Sequence, residues 1–546
     1  MDGKTAVARI LKMEGVEFIT CFPLNPVLDA IASEGIRLIT TRTERVAVGI
    51  ADGFTRASFG QRNGVAMVQS GPGCENAFAA VAQAFADSVP ILFMPGAPGR
   101  REQKRPNFMA REGYPSISKW VDTIQFADQV PKLMRRAFTY LRTGRPGPVV
   151  LEVPMDVMGE EFDDELFHYE PVRGWKTAGD PESIRRVAKA LLGARHPVIR
   201  AGNGVLYGRA WNELREFAEL TQIPVFTTMQ GKSAFPENHP LALGTGGRTR
   251  PKMVMDFLNK ADLIFAIGSS CTIEPFTTNL PKGRRIIQST IDEVDIGKDY
   301  PVEDAIIGDA KLVLRQLIDE IRDRIGQDSG WKRDDVAKGI QSSKHEWIEA
   351  WMRKLTSDEV PINPYRVIWD LNKTLDKKAF IVTPESGGPR DQSVPFYEVT
   401  EPGGFIGWGK TTTLGGSLGF AMGAKLANPE KTVVNIMGDA SIGMVGFDLE
   451  TAVREGIPIL SIILNNSYYS GYNKMQPVAT ERYHIDRSTG NYAQVAQGLG
   501  VYSERIEKPG DIIPAIKRAI EVLDTGKPAC LEMITRVEPE FSLYDT

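Results

Sequence analysis

Short apolar runs of strand length alternate with longer amphipathic stretches along the whole chain, the pattern of parallel sheets with crossover helices. The runs fall into three blocks. In the first, spanning about residues 1–165, "EFITCF", "IRLITT", "GVAMVQSGPG", "VPILFMPG" and "GPVVLEVP" read as strands with helices between them. A polar, acidic stretch at 158–181 reads as a linker. In the second block, about 181–330, the strands are "HPVIRAGNGV", "IPVFTTMQG", "ADLIFAIGSS" and "RRIIQSTID". A charged run at 319–347 reads as a second linker, helical in part. The third block, about 360–546, contributes "AFIVTPES", "TVVNIMGD", "IPILSIILNN" and "ACLEMITR". The expected fold is α/β: three doubly wound domains, each with a parallel sheet.

Length agrees with this division, because 546 residues exceed one hydrophobic core and suggest about three domains at ~100–200 residues each. A formal net charge of −4 argues against nucleic acid or an anionic membrane as the main partner. No apolar stretch reaches the ~18 residues needed to span a bilayer, and the start lacks the basic-then-apolar layout of a signal peptide. Cys21, Cys74, Cys271 and Cys530 are scattered without metal-ligand spacing. They read as buried thiols in a reducing compartment, so a cytoplasmic protein is expected.

The third block carries the clearest chemistry. "KTVVNIM" ends at Gly438-Asp439-Ala440, and after 24 further residues a second apolar strand delivers Asn465-Asn466 to the same sheet edge. Ligands of open α/β sheets sit beyond such strand ends. Small residues at 438 and 440 leave backbone N–H groups open to phosphate oxygens. A carboxylate, an amide oxygen and a backbone carbonyl are the hard ligands Mg²⁺ takes beside phosphate. An isolated Asp at a helix start is usually only a cap, and an Asn pair usually only a turn. The paired spacing on neighbouring strands favours the metal reading.

This spacing resembles the GDG…NN motif of thiamine-diphosphate enzymes, with Ala440 in place of the usual third glycine. The resemblance implies that Asp439, the side chain of Asn466 and the carbonyl of Tyr468 hold Mg²⁺. It also places Gly438, Ala440 and Ser441 against the diphosphate. Thiamine activates its own carbon acid only if a carboxylic acid bonds its aminopyrimidine ring. "IRLITTRTERVAVGIADGFTRAS" resembles the family stretch that bears this acid, so Glu44 is the expected catalytic residue, with Thr43 where a histidine is usual. "SGPGCEN" resembles the SGPGxxN turn lining the same site through Ser70, Gly71, Pro72, Gly73 and Asn76. Leu414 takes the place of the bulky residue that props the cofactor into its bent shape. In the family the acid and the diphosphate motif lie on different subunits, which implies a homodimer or homotetramer with active sites between chains.

The reaction is less constrained. Five histidines are present and none precedes His168, so the first block lacks the pair typical of pyruvate-decarboxylase-like enzymes. His484 reads as a surface residue. "NFMAREGYPS" lacks the glutamine of acetolactate synthases, and Met475 stands where they usually place a Trp. "SLGFA" resembles the 2-hydroxyacyl-CoA lyase and oxalyl-CoA decarboxylase group, as does the turn with Gly202, Gly204 and Tyr207. Arg209 and the cluster Arg248, Arg250 and Lys252 are candidate contacts for CoA phosphates. The central domain is therefore a candidate ADP, CoA or vestigial FAD site. Against a CoA substrate, only about ten residues follow the last expected strand. The leading expectation is a 2-hydroxyacyl-CoA lyase giving formyl-CoA plus an aldehyde or ketone. The alternatives are an acetolactate-synthase-like carboligase on 2-keto acids and a catalytically silent nucleotide- or flavin-binding relative.

Overall fold

The computed structural model describes residues 1–326, 333, 335–469 and 471–544. Part of the second expected linker (327–332 and 334) lies outside the described residues, as does Ser470 in the stretch compared with the synthases. Three sheets follow one another along the chain, and every strand pairing in them is parallel.

The first sheet holds β1 (Phe18–Cys21), β2 (Arg37–Thr40), β3 (Val65–Met67), β4 (Leu92–Phe93), β5 (Gly96–Ala97), β6 (Trp120–Thr123) and β7 (Val149–Pro154). Its order is β2-β1-β3-β4-β7-β5, with β6 also paired to β7. The second holds β8 (Pro197–Ala201), β9 (Val225–Thr228), β10 (Ala242–Gly246), β11 (Leu263–Ile267), β12 (Arg285–Thr290) and β13 (Asp304–Ile307), in the order β10-β9-β8-β11-β12-β13. The third holds β14 (Phe380–Pro384), β15 (Thr432–Gly438), β16 (Ile459–Asn465), β17 (Tyr502–Ile506) and β18 (Ala529–Ile534), in the order β14-β15-β16-β18-β17.

Central strands such as β11 and β16 are buried along their whole length, which is why they stand out as unbroken apolar runs. The sequence pattern did not mark β5, β6, β10, β13 or β17. β10, β13 and β17 lie at sheet edges, and β6 and β13 carry half-buried polar residues such as Asp122 and Asp304. A strand solvated along one side needs no continuous hydrophobic run.

The domains share cores. Helix Val336–Leu355, in the second linker region, packs Trp347 on Phe396 with ring centroids 4.8 Å apart, joining the central domain to the third. The first and third domains meet where helix Glu44–Ala57 lies along helix Gly416–Ala427. Glycines permit that approach: a Cβ on Gly53 would stand 2.3 Å from the Phe420 carbonyl oxygen, and one on Gly423 would stand 2.1 Å from that of Ile50. The two domains carrying the expected acid and metal motif thus meet within one chain. Among the described residues, no helix is long and apolar enough to cross a membrane.

Candidate active site

β15 and β16 are neighbours in register, with Gly438 opposite Leu464, so Asp439 and the Asn pair emerge side by side at one sheet edge. Asp439 opens helix Asp439–Val445 and is buried. Its Oδ2 accepts the Ser488 hydroxyl at 2.7 Å and its Oδ1 accepts the Ala440 N–H at 3.0 Å. Burial pushes its carboxyl pKa above the usual carboxylate range, with these hydrogen bonds opposing. Among the described residues no lysine or arginine is paired with it. A desolvated acid of this kind fits a divalent cation, whose charge offsets the burial.

The two asparagines have different surroundings. Asn465 Nδ2 donates to Glu532 Oε1 at 2.7 Å, and its Oδ1 accepts the Ser467 N–H at 3.0 Å. That amide is committed to the sheet. Asn466 Oδ1 accepts the Tyr468 N–H at 2.9 Å, a bond within its own turn. The bonds of Asn465 to Glu532 and Ser467 make it poorly suited to ligate a metal. Residues 467–469 pair with 486–488, through Ser488 N–H to Ser467 at 3.0 Å and Tyr469 N–H to Asp486 at 2.7 Å, which brings the Ser488 hydroxyl to Asp439. Ser488 is 49 residues downstream of that acid, and no periodicity links the two.

The Ser441 hydroxyl donates to the Gly438 carbonyl at 2.8 Å and accepts the Gly438 N–H at 3.2 Å, fixing the helix start. Ala440 is half-buried, so its methyl in place of a glycine hydrogen is accommodated.

Glu44 is the first residue of its helix, capped by the side chain of Thr43, and it is buried. Asn76 Nδ2 donates to Glu44 Oε2 at 3.2 Å. Asn76 is presented by helix Pro72–Ala86, whose entry needs Gly71 at φ +66° and sets Pro72 in the first turn. Ser70, Gly71, Pro72 and Gly73 thus form the turn that aims Asn76 at the acid. The third domain steadies the same region: Asp448 accepts the Arg42 N–H at 2.8 Å and the Thr43 hydroxyl at 2.9 Å. Leu414 is half-buried just before Gly415, a left-handed residue at φ +93°. Glu385, fully buried after β14, accepts Gly415 N–H at 3.0 Å and the Ser417 hydroxyl at 2.9 Å. Glu385, Asp448 and Ser488 were not marked by the sequence, because each acts through tertiary contacts far from its neighbours in the chain.

A cavity of about 420 Å³ opens at the carboxyl edge of the central sheet, with Asp87 and Arg145 of the first domain also in its wall. Gly202, Gly204 and Tyr207 line it, joined by Arg200, Lys176 and Lys410. Arg209, Arg248 and Arg250 do not. Arg209 stands 5.9 Å from the Trp211 ring. Arg248 pairs with Asp391 at 3.2 Å; the Arg250 N–H donates to the Ser542 carbonyl at 3.0 Å, and the Ser542 hydroxyl, in the tail after β18, donates to the Arg250 carbonyl at 2.7 Å.

The sequence relationships agree with this geometry. Three family profiles match in order: "Thiamine pyrophosphate enzyme, N-terminal TPP binding domain" over residues 1–119, its central domain over 184–317, and its C-terminal TPP binding domain over 387–533. A probable acetolactate synthase large subunit of Methanocaldococcus jannaschii is 32% identical over 95% of this chain and 90% of that protein. A glyoxylate carboligase of Escherichia coli O157:H7 is 30% identical over 98% of this chain and 93% of its own. The acetolactate synthase isozyme 3 large subunit of Escherichia coli K12 is 28% identical over 95% and 92%. The chain belongs to the thiamine pyrophosphate enzyme family. It is an enzyme of carbon–carbon bond chemistry that acts with thiamine diphosphate.

Proposed function

We propose that this enzyme joins 2-keto acids in a carboligation that depends on thiamine diphosphate and Mg²⁺. The expectation favouring a 2-hydroxyacyl-CoA lyase is reversed in rank, because the relatives compared above are acetolactate synthases and a glyoxylate carboligase. The same ranking is supported by the place of Arg248 and Arg250, which do not line the central cavity, with Arg248 paired to Asp391. The observation that carries the reading is the buried Asp439 beside Asn466, in a domain packed against the one that presents Glu44.

Thiamine diphosphate, when bound, supplies a nucleophilic carbon and an electron sink for the substrate carbonyl. The chain's own groups have separate tasks. Asp439, Asn466 and the Tyr468 carbonyl hold Mg²⁺, while Gly438, Ala440 and Ser441 meet the diphosphate from the helix start. Leu414 would prop the cofactor into its bent shape. Glu44 shares a proton with the aminopyrimidine ring, oriented by Asn76. With pyruvate, two molecules and one proton give acetolactate and CO₂. The central cavity is our assignment for any bound ADP, CoA or flavin. We place the enzyme in the cytoplasm, supported by four free, buried cysteines. We also assign it a dimer or tetramer, supported by the exposed apolar side chains Met444, Phe447, Tyr468, Met475, Val478 and Tyr483 around the third-domain site.

Turnover of pyruvate and glyoxylate against 2-hydroxyacyl-CoAs, with thiamine diphosphate and Mg²⁺ added, tests this. Keto-acid consumption with CO₂ release supports it. Formyl-CoA production without keto-acid turnover would establish the lyase reading instead.

A further inference from the structure

Leu414 lies in an irregular stretch, and its two neighbours are held by different domains. The Thr413 N–H donates to Gln83 Oε1 at 3.1 Å, and the Gly415 N–H donates to Glu385 Oε2 at 3.0 Å. Gln83 is on helix Pro72–Ala86 of the first domain, whereas Glu385 follows β14 of the third. Both side chains are buried.

The orientation of the Gln83 amide is fixed by its surroundings. Its Nε2 faces Asp87 Oδ2 at 2.8 Å, and a carboxylate can only accept, so Oε1 must face the loop. There it takes the Thr411 hydroxyl at 3.0 Å as well as the Thr413 amide. Asp87 is anchored in turn by Arg56 Nη1 at 3.0 Å, and its Oδ1 accepts the Lys410 N–H at 3.2 Å. Arg56 also donates to Asp52 and to the Gly407 carbonyl. Residues 407, 410, 411 and 413 are thus tied to one buried network in the first domain, and 415 and 417 to one buried carboxylate in the third. Leu414 is the residue between the two sets of ties.

We propose that Gln83 is a positioning residue for the cofactor cleft: together with Glu385 it sets the place of Leu414. This rests on the reading of Leu414 as the residue beneath the cofactor. Gln83 touches no reacting atom and acts through the 411–413 backbone. A displacement of about 1 Å in a supporting group is enough to cost up to roughly a hundredfold in rate.

The test compares Gln83→Met, which keeps the volume and loses all three hydrogen bonds of the amide, with the parent. In the protein without cofactor, amide exchange in the 409–417 peptide should speed up about tenfold while helix Gly416–Ala427 beyond its first turn stays protected. In the loaded enzyme, kcat should fall about 10- to 100-fold with KM changed less than about threefold. Leu414→Ala and the double variant complete a cycle: if Gln83 acts through Leu414, the double variant loses no more than Leu414→Ala alone. Unchanged exchange at 409–417, or losses that multiply in the double variant, would overturn the proposal. If the parent itself binds no thiamine diphosphate, the functional reading fails, while the exchange comparison still decides whether Gln83 holds the loop.

Discussion

The Thr43 hydroxyl donates to Asp448 Oδ2 at 2.9 Å, so the residue before the expected acid is tied to the domain that bears the metal motif. Burial pushes the Asp448 carboxyl pKa upward, and the Arg42 N–H and the Thr43 and Thr451 hydroxyls oppose that rise. Thr43, where the related enzymes usually have histidine, both caps the helix of Glu44 and reaches across the domain boundary. Orientation of the acid is thereby coupled to the packing of the third domain.

Glu44→Gln should retain thiamine diphosphate but activate it slowly, since an amide cannot share the proton with the ring nitrogen. C2–H/D exchange of the bound cofactor should slow about 100-fold or more. Unchanged exchange would remove Glu44 from the mechanism. Asn76→Ala should give a smaller loss in the same assay, because it orients the acid without replacing it.

Asp439→Ala should weaken metal-dependent thiamine diphosphate binding about 100-fold or more, on the ~3 kcal/mol scale of unpairing a desolvated charge. Titration calorimetry with and without Mg²⁺ measures this directly. Binding that survives both the substitution and chelation of the metal would contradict the assignment.

Gly53→Ala should destabilise the first–third domain seam, because the new methyl meets the Phe420 backbone rather than a yielding side chain. The expected cost is about 1–3 kcal/mol or more, read as a lower denaturant midpoint. Gly510, which has open space around it, is the control position for alanine.

Lys410 gives a pH signature. Burial, reinforced by Arg145 and Lys298, pushes its pKa down to about 8 from the ordinary lysine value near 10.5. Between those values the unfolded chain binds the proton that the folded one has released, so stability from this group rises with pH. Lys410→Met removes that contribution. The melting temperature of the parent relative to the variant should climb between about pH 8 and 10.5; a flat or falling difference would contradict the burial of the ammonium.

The fold was legible where burial leaves a continuous trace, as in β11, β14, β15 and β16. The side-by-side placement of Asp439 and Asn466 was legible because they follow two such strands directly. Glu44 and Asn76 were marked by their flanking residues, although only the folded chain shows them bonded. Gln83, Glu385 and Ser488 left no trace. Each is a polar residue in an ordinary local setting whose partner lies dozens to hundreds of residues away. The arginines at 248 and 250 form a charged cluster in the sequence; the folded chain places Arg248 beside Asp391 and Arg250 beside the tail, away from the residues that line the central cavity.

The most direct measurement of the central claim is carbon-13 NMR of the products formed from labelled pyruvate by the enzyme with thiamine diphosphate and Mg²⁺. Carboligation predicts a new bond between labelled carbons in acetolactate, one CO₂ per two pyruvates consumed, and loss of both signals in Asp439→Ala. Pyruvate and glyoxylate left unchanged under conditions where 2-hydroxyacyl-CoA is cleaved to formyl-CoA would contradict the account.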